Sequence, residues 1–383
     1  MKERYYSLDV FRGATVALMI LVNNPGSWSH IYSPFEHAAW HGCTPTDLVF
    51  PFFLFAVGNA MAFVLPRLKE KGNAAFMKKL FMRSLLIFAI GLFLNWSPFI
   101  KWDNDHLVFK PWANIRIFGV LQRIAFCYFF ASFIAYFFKT KSTIVICIVL
   151  LLLYWWLCYY FGASADPYAF EGYFGTAIDK SMIGENHMYK GEGIPFDPEG
   201  IAGALPGIVQ VLFGYLAGKY IQEKGKSWEM LSNLFIVGAL LIFVGFCWDM
   251  VFPINKKIWS SSYVVYTTGL ALMVIGVMIF FIELKNKRGA LSGFFNVFGK
   301  NALFIFAFHV LFMRLQGLIR IVDKLNDTGK PIYITPMNWF YKHLCDPISS
   351  DPRNGSLLYA ICMMVFFWVI VYWMDKKKIY LKV

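Results

Sequence analysis

The chain has 383 residues, of which 58% are hydrophobic and 15% charged, and its mean hydropathy is +0.54. That balance excludes a soluble globular enzyme, because most of the length must face lipid or pack within it. The net charge of +13, with 41 Phe, 20 Tyr and 13 Trp, fits a membrane protein that gathers Lys and Arg on one side and aromatic belts at both interfaces; no nucleic-acid partner is expected.

In chain order, the basic start and first apolar run carry Asp9 and Arg12 and lack a small-residue cleavage site, which predicts a retained first helix rather than a signal peptide. Apolar runs near the roughly 20 residues that span a bilayer lie at about 8–24, 45–66, 80–98, 115–138, 142–162, 200–221, 230–252, 259–283, 299–318 and 356–374. The expectation is an all-α polytopic fold of about ten membrane helices, with residues 1–383 forming one transmembrane domain. Lys2/Arg4, Arg67–Arg83, Lys139/Lys141, Lys219–Lys226, Lys285–Arg288 and Lys376–Lys382 fall on one side, which places both termini in the cytoplasm. The outer connections, about 25–44, 99–114, 163–199 and 319–355, are longer and mixed in sign, and the short turn Pro253–Ile258 breaks the charge bias with Lys256 and Lys257. Residues 163–199 are too many for a passive connection and read as a lid or binding loop.

All seven histidines fall in outer segments or within a helix, so chemistry near neutral pH is displaced outward. Cys127, Cys147, Cys158, Cys247 and Cys362 lie in apolar runs as buried thiols, while Cys43 and Cys345 are the pair whose outer placement permits a disulfide. Neither an internal repeat nor an inverted pair of broken helices is visible, which argues against a transporter.

The most informative stretch is FEHAAWHGCTPTDLVFPFF, Phe35 to Phe53. His37 and His41 are four apart and share a face on a helical turn. Without an HExxH pattern or a specified third ligand no metal is expected. They are either interfacial histidines satisfied by water and headgroups, or one is a general base or acyl acceptor, with Glu36 beside them as a substrate contact. Thr44 as N-cap and Pro45 as first helical residue predict a helix start, with Asp47 in its first turn. Asp47 serves there as a dipole partner or as the group that orients an imidazole. Pro51 predicts a kink that opens space between helices.

Ionisable groups within apolar runs are functional candidates by default. Asp9 and Arg12 read as a mutual pair. Gln122 and Arg123 interrupt an apolar helix, where Arg123 is an ion-pair partner or a phosphate ligand. His309 is flanked by phenylalanines and reads as a core residue or a site residue. Asp197 and Glu199 either cap a helix or attract an amine. Asn255, Lys256 and Ser260–Ser262 form a polar outer rim.

SLDVFRG, LVNN, EHAAWHGCTPTDLVFPFFLF, GVLQRI, FDPEGI, PINKKIWSSSYV and the His309 segment occur in the order that resembles the heparan-α-glucosaminide N-acetyltransferase family. The resemblance implies a membrane enzyme that takes acetyl from cytosolic acetyl-CoA and gives it to an aminosugar or glycan amine on the other side. The family's active histidine stands in an H-A-x-W-x-G context, which here is His37. The resemblance also implies a buried pocket of Asn23, Asp47, Arg123, Ser260, Ser262 and His309, with Gln122 beside Arg123 on the acetyl-CoA side. His41 stands where the family usually has Asn, so a second imidazole shares or alters the role. The chain begins at the equivalent of the second family helix, as in a relative from a bacterial inner membrane, and a homodimer is the family tendency. The bilayer core is about 30 Å thick, so the acyl donor must reach His37 through a crevice, expected near Pro51, with basic inner loops recruiting its nucleotide. Direct transfer is favoured over an acetyl-histidine intermediate. An O-acetyltransferase of an envelope polysaccharide and a glycolipid or metabolite transporter are the rival readings.

Overall fold

A computed structural model describes residues 5–381; Lys2, Arg4 and Lys382, three of the basic residues placed on the inner side, lie outside them. The helices are α1 (Tyr6–Val22), α2 (Val49–Lys69), α3 (Asn73–Trp96), α4 (Val120–Phe137), α5 (Thr140–Phe161), α6 (Gly175–Met182), α7 (Ala204–Lys224), α8 (Trp228–Asp249), α9 (Ser261–Ile279), α10 (Ala290–Lys300), α11 (Ala302–Gln316), α12 (Pro336–Phe340) and α13 (Pro352–Lys376). Among the described residues, seven helices are long and apolar enough to cross a bilayer, and up to eight spans result if the bent pair α10–α11 counts as one. The 17-residue α1 and α3, which carries Lys78, Lys79 and Arg83, fall short of that measure. The fold is that of an all-α, multi-pass membrane protein.

Most predicted runs match a helix within a few residues, but three do not. The run at 80–98 begins seven residues earlier, at Asn73. The run at 299–318 holds α11, but it is preceded by the unpredicted α10, which meets it at 78° around Asn301, whose side chain bonds to Ile379 O and Leu381 N. The run at 115–138 becomes helical only at Val120, leaving Arg116 in an extended approach. Pro51 causes no kink. It lies in the first turn of α2, where a backbone N–H has no intrahelical partner to lose, and the interior proline of that helix is Pro66.

The centre of the bundle is the α2–α7 pair. In these spans 67% and 72% of the apolar window is buried, against 22% for α5 and 28% for α8, whose apolar faces are therefore the lipid-facing ones. With no hydrophobic driving force between helices inside a membrane, close backbone approach is what binds them. A Cβ on Gly58 would lie 1.8 Å from Val211 O, and one on Gly214 2.0 Å from Phe55 O, so α2 and α7 cross where only glycine fits. At one end of the bundle, buried Glu283 ties the chain start to later turns by accepting from Ser7 N and pairing with Lys226.

At the other end the long connections interlock into a cap. Two antiparallel hairpins, β1 (Ile100–Asp103) with β2 (His106–Phe109) and β3 (Ile321–Leu325) with β4 (Pro331–Ile334), are joined by the Arg320 guanidinium 3.8 Å over the Trp102 ring. The connection from α5 to α7 contributes α6 and folds back onto the loop before α2 through Trp40 Nε1, which donates to Tyr168 O.

Candidate functional site

The segment from His37 to Asp47 is irregular, not helical, up to Thr44. Gly42 adopts φ +105°, a conformation that favours glycine, and donates its N–H to Ile254 O at 2.7 Å; a bridge to Asn255 fixes the two loops side by side. Pro45–Leu48 then forms a 3₁₀ turn that leads into α2, with Thr44 as its cap. The expected helix start is present, and it delivers Asp47 to the imidazole.

Asp47 Oδ1 lies 2.6 Å from His37 Nδ1, and Oδ2 accepts from Ala38 N at 3.0 Å and Thr44 N at 3.1 Å. Two acceptors cannot sit 2.6 Å apart without a proton between them, so Nδ1 carries the hydrogen, and in the neutral ring Nε2 presents the lone pair. Asp47 is buried, whereas the His37 side chain is 45% exposed. Lys256 Nζ stands over the pair, 3.1 Å from His37 Nδ1 and 3.4 Å from Asp47 Oδ1. Burial lowers the Lys256 pKa, against the raising effect of the Asp47 and Glu199 charges. Asp47 thus completes the capping box with Thr44 and hydrogen-bonds the imidazole from the first turn.

His37, Asp47 and Lys256 line a cavity of about 240 Å³, together with Trp40, Arg116, Tyr189, Glu192, Glu199, Lys257 and Trp259. Its roof is ionic. Arg116 binds Asp197 through Nε at 3.0 Å and Nη2 at 2.6 Å, and Nη2 also donates to Glu199. Burial works against the Arg116 charge, but Glu199 and Asp197 outweigh it and hold the guanidinium above its usual range. Desolvation works against the half-buried Glu199 carboxylate too, yet Arg116 and Arg123 keep it below the usual glutamate range. Lys257 pairs with Glu192 at 2.7 Å and covers the Trp40 ring. The expected amine-attracting carboxylates, Asp197 and Glu199, are therefore both committed to Arg116.

Arg123 is buried at the start of α4. Its Nη2 donates to Gly200 O at 2.6 Å and its guanidinium lies 5.2 Å from the Trp259 ring, while Nε and Nη1 have no partner. Trp259, a cavity residue with φ +55°, also has an unpartnered Nε1. Gln122 points elsewhere, toward Gly91 and Gly119.

Several expected members of the site lie apart. His41 is exposed and turns away from His37, its Nδ1 3.4 Å from Asn255 Nδ2, into a second cavity of about 430 Å³ lined by Cys43, Phe246, Asp249 and Tyr266. The shared helical face fails because no helix forms there. Partial burial lowers the His41 pKa, opposed by Asp166 and Asp249. Glu36 is exposed and does not line the His37 cavity. Asn23 is exposed as the C-cap of α1; the buried neighbour is Asn24, whose amide lies 2.8 Å from His309 Nε2. That pair sits between α1 and α11, away from the His37 cavity.

Asn255 and Ser260–Ser262 are fully buried rather than a rim. Asn255 Oδ1 accepts from Ile258 N, while Ser260 caps α9 and bonds Ser262 at 3.0 Å, so this group builds the loop that carries Lys256. All seven cysteines are free. Cys43 and Cys345 do not pair, since Cys345 lies beside Cys362; Cys247 is exposed on α8 rather than buried. Burial and then the Asp47 charge push the Cys43 thiol up to about 12, which removes thiolate chemistry there at neutral pH. Among the described residues no three His, Cys, Asp or Glu side chains are placed to hold a metal ion.

Residues not singled out from sequence include Arg116, Tyr189, Glu192 and Trp259. Arg116 had one usable signal, an arginine at the start of an apolar run. The others are recruited by long-range folding.

The fold and the cavity define a multi-pass membrane protein with an oriented imidazole at one end of its helix bundle. Residues 4–246 match the family model described as heparan-alpha-glucosaminide N-acetyltransferase, catalytic, and the chain belongs to that family. It is 26% identical to the human heparan-alpha-glucosaminide N-acetyltransferase over 367 residues, covering 82% of this chain and 53% of that protein. The mouse protein of the same name is 25% identical over 363 residues, with 80% and 53% covered. The chain spans about half the length of these curated relatives.

Proposed function

We propose that this chain moves acetyl from cytosolic acetyl-CoA to the amine of a glucosamine-type sugar on the outer side of the membrane. The reading rests on one observation, the 2.6 Å His37–Asp47 pair in the wall of a cavity, within a chain of this family. The cap that holds the cavity is the outer side, both termini are cytoplasmic, and a bacterial inner membrane is the setting.

His37 acts as general base. Asp47 holds the Nδ1–H tautomer, so Nε2 takes the amine proton as nitrogen attacks the thioester carbon. Transfer is direct: a ring locked by Asp47 has no need to carry an acetyl group between chambers. The unpartnered donors of Arg123 and Trp259 support an acyl donor rich in carbonyl oxygens, such as the pantetheine arm of acetyl-CoA, because buried donors without acceptors are costly. Residues 163–199 act as the lid, latched by Glu192 on Lys257. Asp197 and Glu199 serve through Arg116 as anchors of that lid.

The test is transfer from labelled acetyl-CoA to glucosamine by the purified chain in detergent. The reading expects label in a base-stable amide, with one free CoA thiol released per acetyl transferred. Label in a base-labile ester on a polysaccharide acceptor, with glucosamine unlabelled, would replace the amine by a hydroxyl. Absence of any acetyl-CoA turnover contradicts the enzyme reading.

A further inference from the structure

The turn Pro253–Ile258 puts two lysines on the side of the membrane where short connections carry few, and the His37–Asp47 mechanism alone does not require them. The structure gives the two different tasks. Lys257 is committed to Glu192 at 2.7 Å and to the face of Trp40, and Arg116, the third cation lining the cavity, is committed to Asp197 and Glu199. Lys256 is held more loosely. Its 3.4 Å approach to Asp47 Oδ1 is longer than the roughly 2.7–2.9 Å of a charge-assisted hydrogen bond. Its 3.1 Å approach to His37 Nδ1 is not a hydrogen bond either, because that nitrogen already carries the proton shared with Asp47.

The Lys256 ammonium therefore has N–H groups to give, and it stands 3.5 Å from His37 Nε2, the atom where the amine nucleophile must dock. Its backbone is fixed on both sides. Asn255 N donates to Ser260 Oγ at 3.0 Å, Trp259 N to Lys256 O at 3.1 Å, and the Gly42 bridge ties the turn to the His37 loop. A cation held in a cavity beside the base is the arrangement that stabilises charge developing on a carbonyl oxygen.

We propose that Lys256 is the catalytic electrophile of the transfer, donating to the acetyl oxygen as the tetrahedral intermediate forms. The inference rests on the acetyl-transfer reading of the His37 cavity. The amine lone pair makes the new C–N bond, the amine proton passes to His37 Nε2, and the carbonyl π pair moves onto oxygen, which accepts from Lys256. Collapse restores C=O and breaks C–S; the pair leaves with sulfur, which takes the proton back from Nε2 as the CoA thiol.

The test compares kcat and KM of the wild-type chain, Lys256→Met, Lys256→Gln and His37→Ala with acetyl-CoA and glucosamine. Lys256→Met should lower kcat about 100-fold, the loss typical of removing one oxyanion donor. KM for acetyl-CoA should stay within about threefold. Lys256→Gln, which keeps a neutral donor, should fall between the two, and it carries the test if the methionine variant does not fold. A kcat within about threefold of wild type, or a loss confined to KM for glucosamine, overturns the proposal. His37→Ala separates the two levels. Full activity there overturns the reading of the cavity itself, whereas loss there with an unaffected Lys256→Met overturns only the role of Lys256.

Discussion

His37 and His41 are four residues apart and end in different worlds. His37 Nδ1 is locked to a buried carboxylate that itself accepts from two backbone N–H groups. His41 is exposed, and the nearest polar side-chain atom recorded for it is an amide nitrogen at 3.4 Å. One imidazole is held by a short bond to a carboxylate; the other has only a long contact to an amide. What separates them is not residue type or spacing but the irregular backbone of residues 37–41, which sets the two rings in the walls of different cavities. A reactive histidine is made by the groups around it.

The contrast can be broken most severely by making His37 resemble His41. Asp47→Asn keeps the shape of the cap but no longer demands the Nδ1–H tautomer, and it should reduce kcat on the order of 10²–10⁴-fold with the fold retained, read by steady-state transfer and thermal melting. Glu192→Gln loosens the roof over His37 alone. It should raise KM for the sugar by about 3–10-fold and leave kcat nearly unchanged, since a partly exposed ion pair contributes roughly 1 kcal/mol or less. Asp249→Asn acts on the His41 side and should change transfer by less than about twofold.

Asp179 sharpens the comparison through pH. Buried in α6, it accepts from Ile201 N at 2.8 Å, and burial with the nearby Asp197 charge pushes its carboxyl up to about 7, against that hydrogen bond and the Arg123 charge. The folded chain then keeps a proton that the unfolded chain releases near the ordinary carboxyl value of 3.8. Between those values the native state binds more protons, so stability falls as pH rises from about 4 to 7. Melting of the wild-type chain should decline across that window more steeply than melting of Asp179→Asn.

Much of the bundle was legible because lipid enforces it. An apolar run of the right length has few alternatives in a bilayer, and the Thr44–Pro45 start, the Asp9–Arg12 pair and the placement of His37 and Asp47 all follow local rules. The failures share a cause. Asn23 and Asn24 differ by one position at a helix end, where a small rotation decides which side chain enters the core. The bend at Asn301 depends on bonds to residues 379 and 381, some eighty positions away. The ion pairs of the cavity roof, Arg116 with Asp197 and Lys257 with Glu192, join segments no periodicity connects. Lys256 reaches His37 across a separation of 219 residues, so its place in the polar rim was legible but its contact with the imidazole was not.

The central claim is that one of the two histidines, and not the other, is the reaction centre. Acetyl transfer from labelled acetyl-CoA to glucosamine by His37→Ala and His41→Ala, assayed side by side in detergent with matched melting temperatures, tests it most directly. The account predicts loss of transfer by more than about 10³-fold in His37→Ala and a change of less than about threefold in His41→Ala. Equal losses in both variants, or transfer that survives in His37→Ala, would contradict it.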